Sequence, residues 1–507
     1  MTARQLTGAY NYGYGVHSPT TTLRIDAGAY VGGVGVYTPA ADSGAYTVVN
    51  DGQIVTAGLY VGVTLDHGGA VTNGGGANTS ALIQGLGGVA IAGASGAVTN
   101  FGTVAATFRD GVYLGDGGSV ANGGGLDTTA LIHGYAGVQI YRGAGTVTNS
   151  GTISGYHSGV AESNGGVVTN GSKHGTTALI YGGTGNYYVS YPTEKGVNSF
   201  GVVMRAGPGV VTNYGTVAGG GGVGLYGGGV VTNGSQGDTS ALIETIGELP
   251  AVLILGASGS LANFGTVAGA VQMNAGGSVT NGGLGDTSAL IETIGAGRAV
   301  LIRGASGSLA NFGTVAGDVL MYAGGSVTNG SHGDTGALIQ GSGIGVYIGG
   351  GGGTVTNLGT VTGSYGIVLN AGGLVTNGGV GDADALIQAD ATSVGVGLYR
   401  PGAVVNFGTI AGGTAVSFAS AGDGERVDPG RGQQSGRRGI ADRGRIPHRS
   451  RRGQPGACRV AGVRRRRDPE QFRLDHRGGR PERRRRPPDR RGGFEAGRPG
   501  AGRRRNA

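Results

Sequence analysis

The chain holds a single cysteine, no tryptophan, 14 prolines in 507 residues and only 13% charged residues. Each shortage excludes something. One cysteine, Cys458, allows neither a disulfide framework nor a Cys-based metal site. No apolar run approaches the ~18 residues of a membrane-spanning helix, and residues 1–15 lack the apolar centre of a secretory leader, so no Sec-type signal is visible. Helical periodicity is missing as well, because glycine interrupts every window long enough to hold a helix. Glycine is what the chain has in excess: 118 residues, far above the usual ~7%. Collagen is excluded, since glycine does not fall at every third position and proline is scarce. With 38% apolar residues, a wholly disordered chain is excluded too.

The net charge of +8 conceals two unlike segments. Residues 1–420 carry 10 Lys and Arg against 19 Asp and Glu; residues 421–507 carry 27 Arg, no Lys and 10 acidic residues. All 21 tyrosines precede residue 421, and the tail contains no threonine. The vocabulary of the chain changes abruptly at that point.

Repetition dominates the first segment. The phrase V-[TA]-N-G places asparagine at Asn73, Asn122, Asn170, Asn233, Asn281, Asn329 and Asn377, mostly 48 residues apart. A second phrase, N-[FYLS]-G-T-[VI], alternates with it at Asn100, Asn149, Asn213, Asn263, Asn311, Asn357 and Asn406. Between the phrases lie runs of three to five β-branched residues bounded by glycine, which is the pattern of short strands. Six such runs per 48 residues give three per sub-repeat. The expected fold is therefore all-β: a right-handed parallel β-helix (β-solenoid) with double-coil repeats of about 48 residues over 1–420, clearest over 70–410. About fourteen to sixteen coils are expected. Valine, leucine and isoleucine would fill the core, and the asparagines would form a ladder, each amide bonding the next coil's. Asn is expected to take the left-handed conformation at the bend.

The V-T-N-x-G-T-[IV] phrases and glycine-punctuated strands resemble the passenger-type β-helical repeats of bacterial autotransporters and related large adhesins. That resemblance covers about residues 20–420 and implies a cell-surface or secreted location with adhesive contacts. Members of that class normally carry an export signal, and autotransporters end in a membrane β-barrel; neither is evident in this sequence.

Other features offer less chemistry. Five residues after each V-[TA]-N-G asparagine stand Asn78, Asp127, Gly175, Asp238, Asp286, Asp334 and Asp382. The stretches GGLGD and GGVGD are similar to calcium-binding glycine-rich repeats, but acids two coils, ~10 Å, apart cannot share one ion. A turn-capping role is expected instead, and no cofactor. A β-helical lyase or hydrolase would need clustered acidic and basic groups, whereas here the acids come mostly one per repeat, so no enzymatic activity is expected. The repeat breaks once, between Asn170 and Asn213, where extra length holds Tyr187, Tyr188, Tyr191 and Lys195. An insertion must leave the stack as a loop, and these four residues are the candidate binding loop. His174 and His332 read as solvated turn residues, and His133 and His157 show no ligand spacing. Gly349–Gly353 lacks the setting of a phosphate loop.

Residues 1–420 are thus expected to act as a non-catalytic, adhesin-like interaction rod with surface glycans, proteins or other copies of itself as partners, and with no nucleic-acid role. A polysaccharide lyase, hydrolase or tailspike-like glycan binder is the alternative. The Arg/Gly/Pro-rich tail 421–507 is expected to be disordered and admits three readings: an arm for nucleic acid or anionic surfaces, an inert tail, or out-of-frame translation of a GC-rich gene from about residues 423–427. Under the last, V-T-N-x-G-T phrases resume in another frame of the coding DNA; two alternative frames lacking them reject it.

Overall fold

The structure, a computed structural model, describes residues 2–419 except 126–128, 184–198, 238, 294 and 296, together with the short strands Arg426–Pro429 and Gln434–Ser435. No helix occurs among the described residues, and none therefore is long and apolar enough to cross a membrane. A typical coil supplies three strands, and successive coils pair in parallel. The first strand of every coil joins an 18-stranded sheet; the second and third strands join a sheet of 33. The molecule is a parallel β-helix, longer than the fourteen to sixteen coils read from the phrases. The additional coils lie where the phrases are missing: Thr2–Leu6, Thr20–Ile25 and Tyr46–Asn50 at one end, Arg426–Pro429 at the other.

One double coil shows why the sequence folds this way. The strand Gly277–Asn281 turns inward Val279, outward Ser278 and Thr280, and ends on a fully buried Asn281. Gly282 follows at φ +80°, a left-handed conformation that lets the chain leave the strand sharply. The loop closes through a bridge between Gly283 and Asp286, then enters Leu290–Glu292 and Arg298–Ile302. The following strand Gly307–Asn311 ends instead in a two-residue turn, Phe312-Gly313, before Thr314–Ala316. A Cβ at Gly313 would lie 2.1 Å from the Ala289 carbonyl oxygen of the coil beside it, so only glycine fits. Long loop and short turn alternate. Asn281 to Asn311 therefore spans 30 residues and Asn311 to Asn329 spans 18, which together make the 48-residue repeat.

The core is a set of columns. Val279, Leu309 and Val327 stack from the asparagine sheet; Ile291, Val315 and Ile339 from the second strands; Ile302, Met321 and Ile348 from the third, all at most 2% exposed. Each such side chain contributes roughly 1.5–3 kcal/mol. The third-strand residue projects across the interior toward the glycine that opens the next asparagine strand: a Cβ on Gly307 would meet Ile302 at 2.7 Å. Every asparagine strand from Gly69–Asn73 to Gly402–Asn406 opens on glycine.

The asparagines form an unbroken chain of side-chain amides. Asn281 Nδ2 donates to Asn311 Oδ1 at 2.8 Å, and Asn311 Nδ2 to Asn329 Oδ1 at 2.8 Å. The same link, at 2.7–2.8 Å, joins Asn50, Asn73, Asn100, Asn122, Asn149, Asn170, Asn213, Asn233, Asn263, Asn281, Asn311, Asn329, Asn357, Asn377 and Asn406 in turn. Each Nδ2 from Asn50 to Asn377 also reaches carbonyl oxygens of its own and the next coil, as Asn281 does to Ala289 at 3.3 Å and Thr314 at 2.9 Å. Two points differ from expectation. Asn50 joins the ladder without the Thr of its phrase. And no ladder asparagine is left-handed: each ends a strand, and on the long loops the glycine after it, such as Gly282, takes the positive φ, while the short turns such as Phe312-Gly313 need none.

Pairing also continues past residue 420. Arg426–Pro429 pairs with Gly402–Asn406, and Gln434–Ser435 with Thr409–Ala411. Backbone hydrogen bonds need no particular side chain, so pairing outlasts the change in composition. Pro429 lies opposite Asn406, which ends the ladder. The chain divides into Met1–Asp442 and Arg443–Ala507, and the second unit lies outside the described residues.

Replacing Asn281 by Ala leaves Asn311 Oδ1 without its donor and strips the Ala289 and Thr314 carbonyls. The expected cost is about 2–4 kcal/mol. A stacked array need not unfold as one unit, so the readout is amide exchange. Exchange in Gly259–Asn263 through Gly307–Asn311 should accelerate, while outward Ser278→Ala changes it little. Unchanged exchange in the Asn281→Ala variant would refute the ladder's role.

Candidate functional site

The repeat is most altered between residues 131 and 205. Elsewhere the second and third strands are separated by a bend, but here Leu131–Ile140 and Thr152–Glu162 run continuously through both positions. Their partner in the next coil is again divided, into Leu179–Gly182 and Phe200–Met204. Tyr187, Tyr188, Tyr191 and Lys195, the residues predicted to bind, lie outside the described residues.

The described residues beside that segment gather aromatic and imidazole groups. His133 lies in register with Ser154, its Nδ1 2.9 Å from the Ser154 hydroxyl. The His133 ring meets Tyr156 edge to face at 4.9 Å, and Tyr135 stacks on His157 at 5.4 Å with 12° between the planes. His157 is buried, with Nδ1 3.0 Å from Ser158 Oγ, whereas Tyr156 is 54% exposed. Tyr181 follows Ser154 one coil on. Asp110 accepts from the Ala136 amide at 3.0 Å, and burial pushes its carboxyl up to about 6. Phe200, fully buried, packs with Ala161, Val203 and Leu253 in an apolar cluster separate from the main core, its ring edge-on to Tyr226. Such a patch can stack on apolar ring faces and exchange hydrogen bonds with hydroxyls. His133 and His157, read from the sequence as lacking ligand spacing, become neighbours of tyrosines because consecutive coils place them side by side. The uninterrupted runs LIHGYAGVQI and TISGYHSGVAE were the available signal.

The column five residues after the V-[TA]-N-G asparagines lies on the long loops. Asp286 Oδ1 accepts from the Ser288 hydroxyl at 2.5 Å and its amide at 3.3 Å, holding the Asp286 carboxyl below the usual range. Asn78 does the same with Ser80, and Asp334 Oδ1 accepts from the Gly336 amide at 3.2 Å. Gly175 keeps only the backbone bridge, to Ser172. Asp127 and Asp238 lie outside the described residues. Asp382 reaches back instead to the preceding long loop: it accepts from the Gly333 amide at 3.1 Å and sits 2.5 Å from His332 Nδ1. These contacts lower its pKa, the Gly333 amide most. His332 is therefore a link between loops rather than a purely solvated residue. Among the described residues no three His, Cys, Asp or Glu side chains converge as a metal-binding group.

Compared with known proteins, the chain matches no family model, and no curated protein and no solved structure is significantly similar to it.

Behind the aromatic patch the core carries an anomaly. Glu162 occupies an inward column in register between Ile140 and Met204. It is fully buried, and neither carboxyl oxygen has a hydrogen-bond partner. The carboxyl lies over Gly145 and Gly166; a Cβ on Gly166 would fall 2.0 Å from Oε2. Burial pushes its pKa from 4.5 up to about 8, and the Gly145 amide pulls the other way without closing a hydrogen bond.

The folded carboxyl thus holds its proton to a higher pH than the unfolded one. Between pH 4.5 and about 8 the unfolded chain ionises first, so stability falls as pH rises and levels off above about 8. The loss by pH 7 is on the order of 3 kcal/mol for the unit containing Glu162. Glu162→Met should abolish this dependence between about pH 6 and 8, above the range in which the raised Asp110 carboxyl contributes its own, in denaturant unfolding or amide exchange of Thr152–Glu162. A pH dependence that survives the substitution assigns it to another group.

Proposed function

We propose that the β-helix is a non-catalytic, surface-exposed or secreted rod, adhesin-like in its role, that works by multivalent contact along repeated faces. The observation that carries this reading is the register, unbroken from Asn50 to Asn406. Any weak contact offered by one coil recurs ~4.8 Å along the axis, or ~10 Å along where it belongs to one half of the double coil. Repetition converts weak single contacts into strong attachment without a deep pocket, provided the partner is itself repetitive or extended. Surface glycans and surface proteins are such partners. The resemblance to autotransporter and adhesin passengers supports the location.

The second reading, a glycan-processing or tailspike-like β-helix, draws on one place. Asp110, with its carboxyl held near neutrality, pairs with the backbone of the strand that carries His133 and Tyr135. A carboxyl raised toward neutral pH beside aromatic rings is a feature of glycosidic acid catalysis. Asp110 has, however, a sufficient structural partner in the Ala136 amide.

Incubating the purified full chain with a polysaccharide panel, protein-coated surfaces and intact cells separates the readings. Retention without shortening of the glycan is expected. Shortened glycan products, lost in Asp110→Asn, would establish the second reading. Neither retention nor cleavage on any of these surfaces would overturn both.

A further inference from the structure

The outer face of the asparagine sheet differs from the rest of the surface. On the fifteen strands from Tyr46–Asn50 to Gly402–Asn406, the outward positions are the third and first before each asparagine. They run from Thr47 and Val49 through Ser278 and Thr280 to Ala403 and Val405, and every one is Ser, Thr, Ala, Val or, at Leu374, Leu. None is charged and none is aromatic, in a segment that carries 29 charged residues among positions 1–420. Beyond these fifteen strands the same sheet carries Arg24, exposed and in register with Val49; other charges stand on the long loops (Asp286, Asp334, Asp382) and on the other strands (Glu244, Glu292, Asp318). Within the neutral face three valines stack in register, Val167 on Val210 on Val230, each about two-fifths exposed.

We infer that this face pairs with the same face of a second copy of the chain, an inference that rests on the proposed role as an interaction rod. Four arguments select a second copy as the occupant. An acidic surface that clears charge from one face lets two copies meet there without like-charge repulsion. A second copy has the same coil spacing along its whole length, so branched Thr and Val of one sheet can settle over Ser and Ala of the other at the ~10 Å of packed sheets. These short side chains lose little rotamer entropy when covered. Fifteen strands at ~4.8 Å by five residues at ~3.3 Å offer about 1,200 Å² per copy, and engaging only half, about 1,200 Å² over both copies, still reaches the lower limit of a stable interface. The valine stripe occupies the sixth to eighth of the fifteen strands. A two-fold axis through it sets valine on valine and keeps nearly the full lengths in contact, which is the geometry of an isologous dimer.

Light scattering and sedimentation of the full chain in high salt, which screens the arginine tail, test this. The expected mass is twice 49.7 kDa. Val210→Lys sets a charge against its own copy beside the axis; because Val210 is already exposed, the fold persists by circular dichroism while the mass halves. Gln340→Lys, on a second strand, leaves the dimer intact. A wild-type chain that stays monomeric, or a dimer that survives Val210→Lys, overturns the inference. So does a monomer that binds a polysaccharide through this face, with binding lost in Val210→Lys. Retention on glycans or cells is read separately for the same proteins, so failure of pairing and failure of the interaction role give different results.

Discussion

A buried amide that cannot be completed within its own coil governs this structure. Each ladder asparagine can aim its Nδ2 at carbonyls of its own coil, as Asn311 does at Gly313. Its Oδ1 needs a donor; Asn50, the first of the ladder, takes the Gly52 amide at 3.3 Å, and in the coils after it the turn supplies carbonyls. The donor comes from the preceding coil, as Asn281 serves Asn311. Satisfying the amide therefore requires a neighbour at the same register and ~4.8 Å away. A slip of one residue would bury valine's place with threonine and leave two amides unpaired at once, a cost of several kcal/mol. Register is thus set by the polar groups and the alternation of the apolar columns together, while the bulk of the stabilisation comes from the Val, Ile and Leu columns.

Fixing the strand ends leaves the connections free to differ. The alternation of an eighteen-residue and a thirty-residue coil around Asn311 is absorbed wholly outside the strands. Long loops then recur at every second coil and meet one another along one edge: Gln236 donates to the Leu284 carbonyl, and Gly333 and His332 hold Asp382. Charge can collect on this edge because its loops are solvated and supply backbone amides to carboxylates. The asparagine sheet, tight and without loops of its own, stays neutral on its outer face over the fifteen strands from Tyr46–Asn50 to Gly402–Asn406. The division between a charged edge and a neutral face follows from the two turn types, and hence from whether Gly or Phe-Gly follows the asparagine.

Much of this was legible in the sequence because each coil repeats the same physical problem. The fourteen phrase asparagines mark the ends of fourteen strands, and the glycine-bounded runs mark the strands between. What escaped did so for identifiable reasons. Asn50 sits in Val-Val-Asn-Asp-Gly, where the short-turn glycine is kept but Gln53 replaces threonine; the glycine is the residue that the geometry demands. The glycine opening each asparagine strand stands four residues before every phrase asparagine and answers to a side chain from the previous strand, a contact invisible along the chain. The left-handed conformation expected of asparagine falls, on the long loops, to the neighbouring glycine, which adopts it at lower cost. The aromatic and histidine patch could not be read from spacing, because His133 and Tyr156 are brought together by stacking across 23 positions. Glu162 was legible in principle. Val138-Gln139-Ile140 and Val202-Val203-Met204 put an aliphatic residue two after an inward valine, and Val160-Ala161-Glu162 breaks that rule.

The exceptions cluster, and their coincidence has mechanical meaning. The same coil that carries the exposed Tyr156 and the buried His157 of the aromatic patch carries Glu162 in its core. In a stacked array stability is local, so a coil with an unsatisfied buried carboxyl opens more easily than its neighbours. Flanking coils with complete aliphatic columns confine that opening to a few strands. The strand Gly166–Asn170 covers the Glu162 carboxyl through Gly166 and presents Val167 to the outside. Contact at the valine stripe would therefore press on the backbone that encloses the weakest point of the core. Coupling between an outer contact and an inner carboxyl would need no relay of side chains: one five-residue strand, buried on one face and exposed on the other, belongs to both.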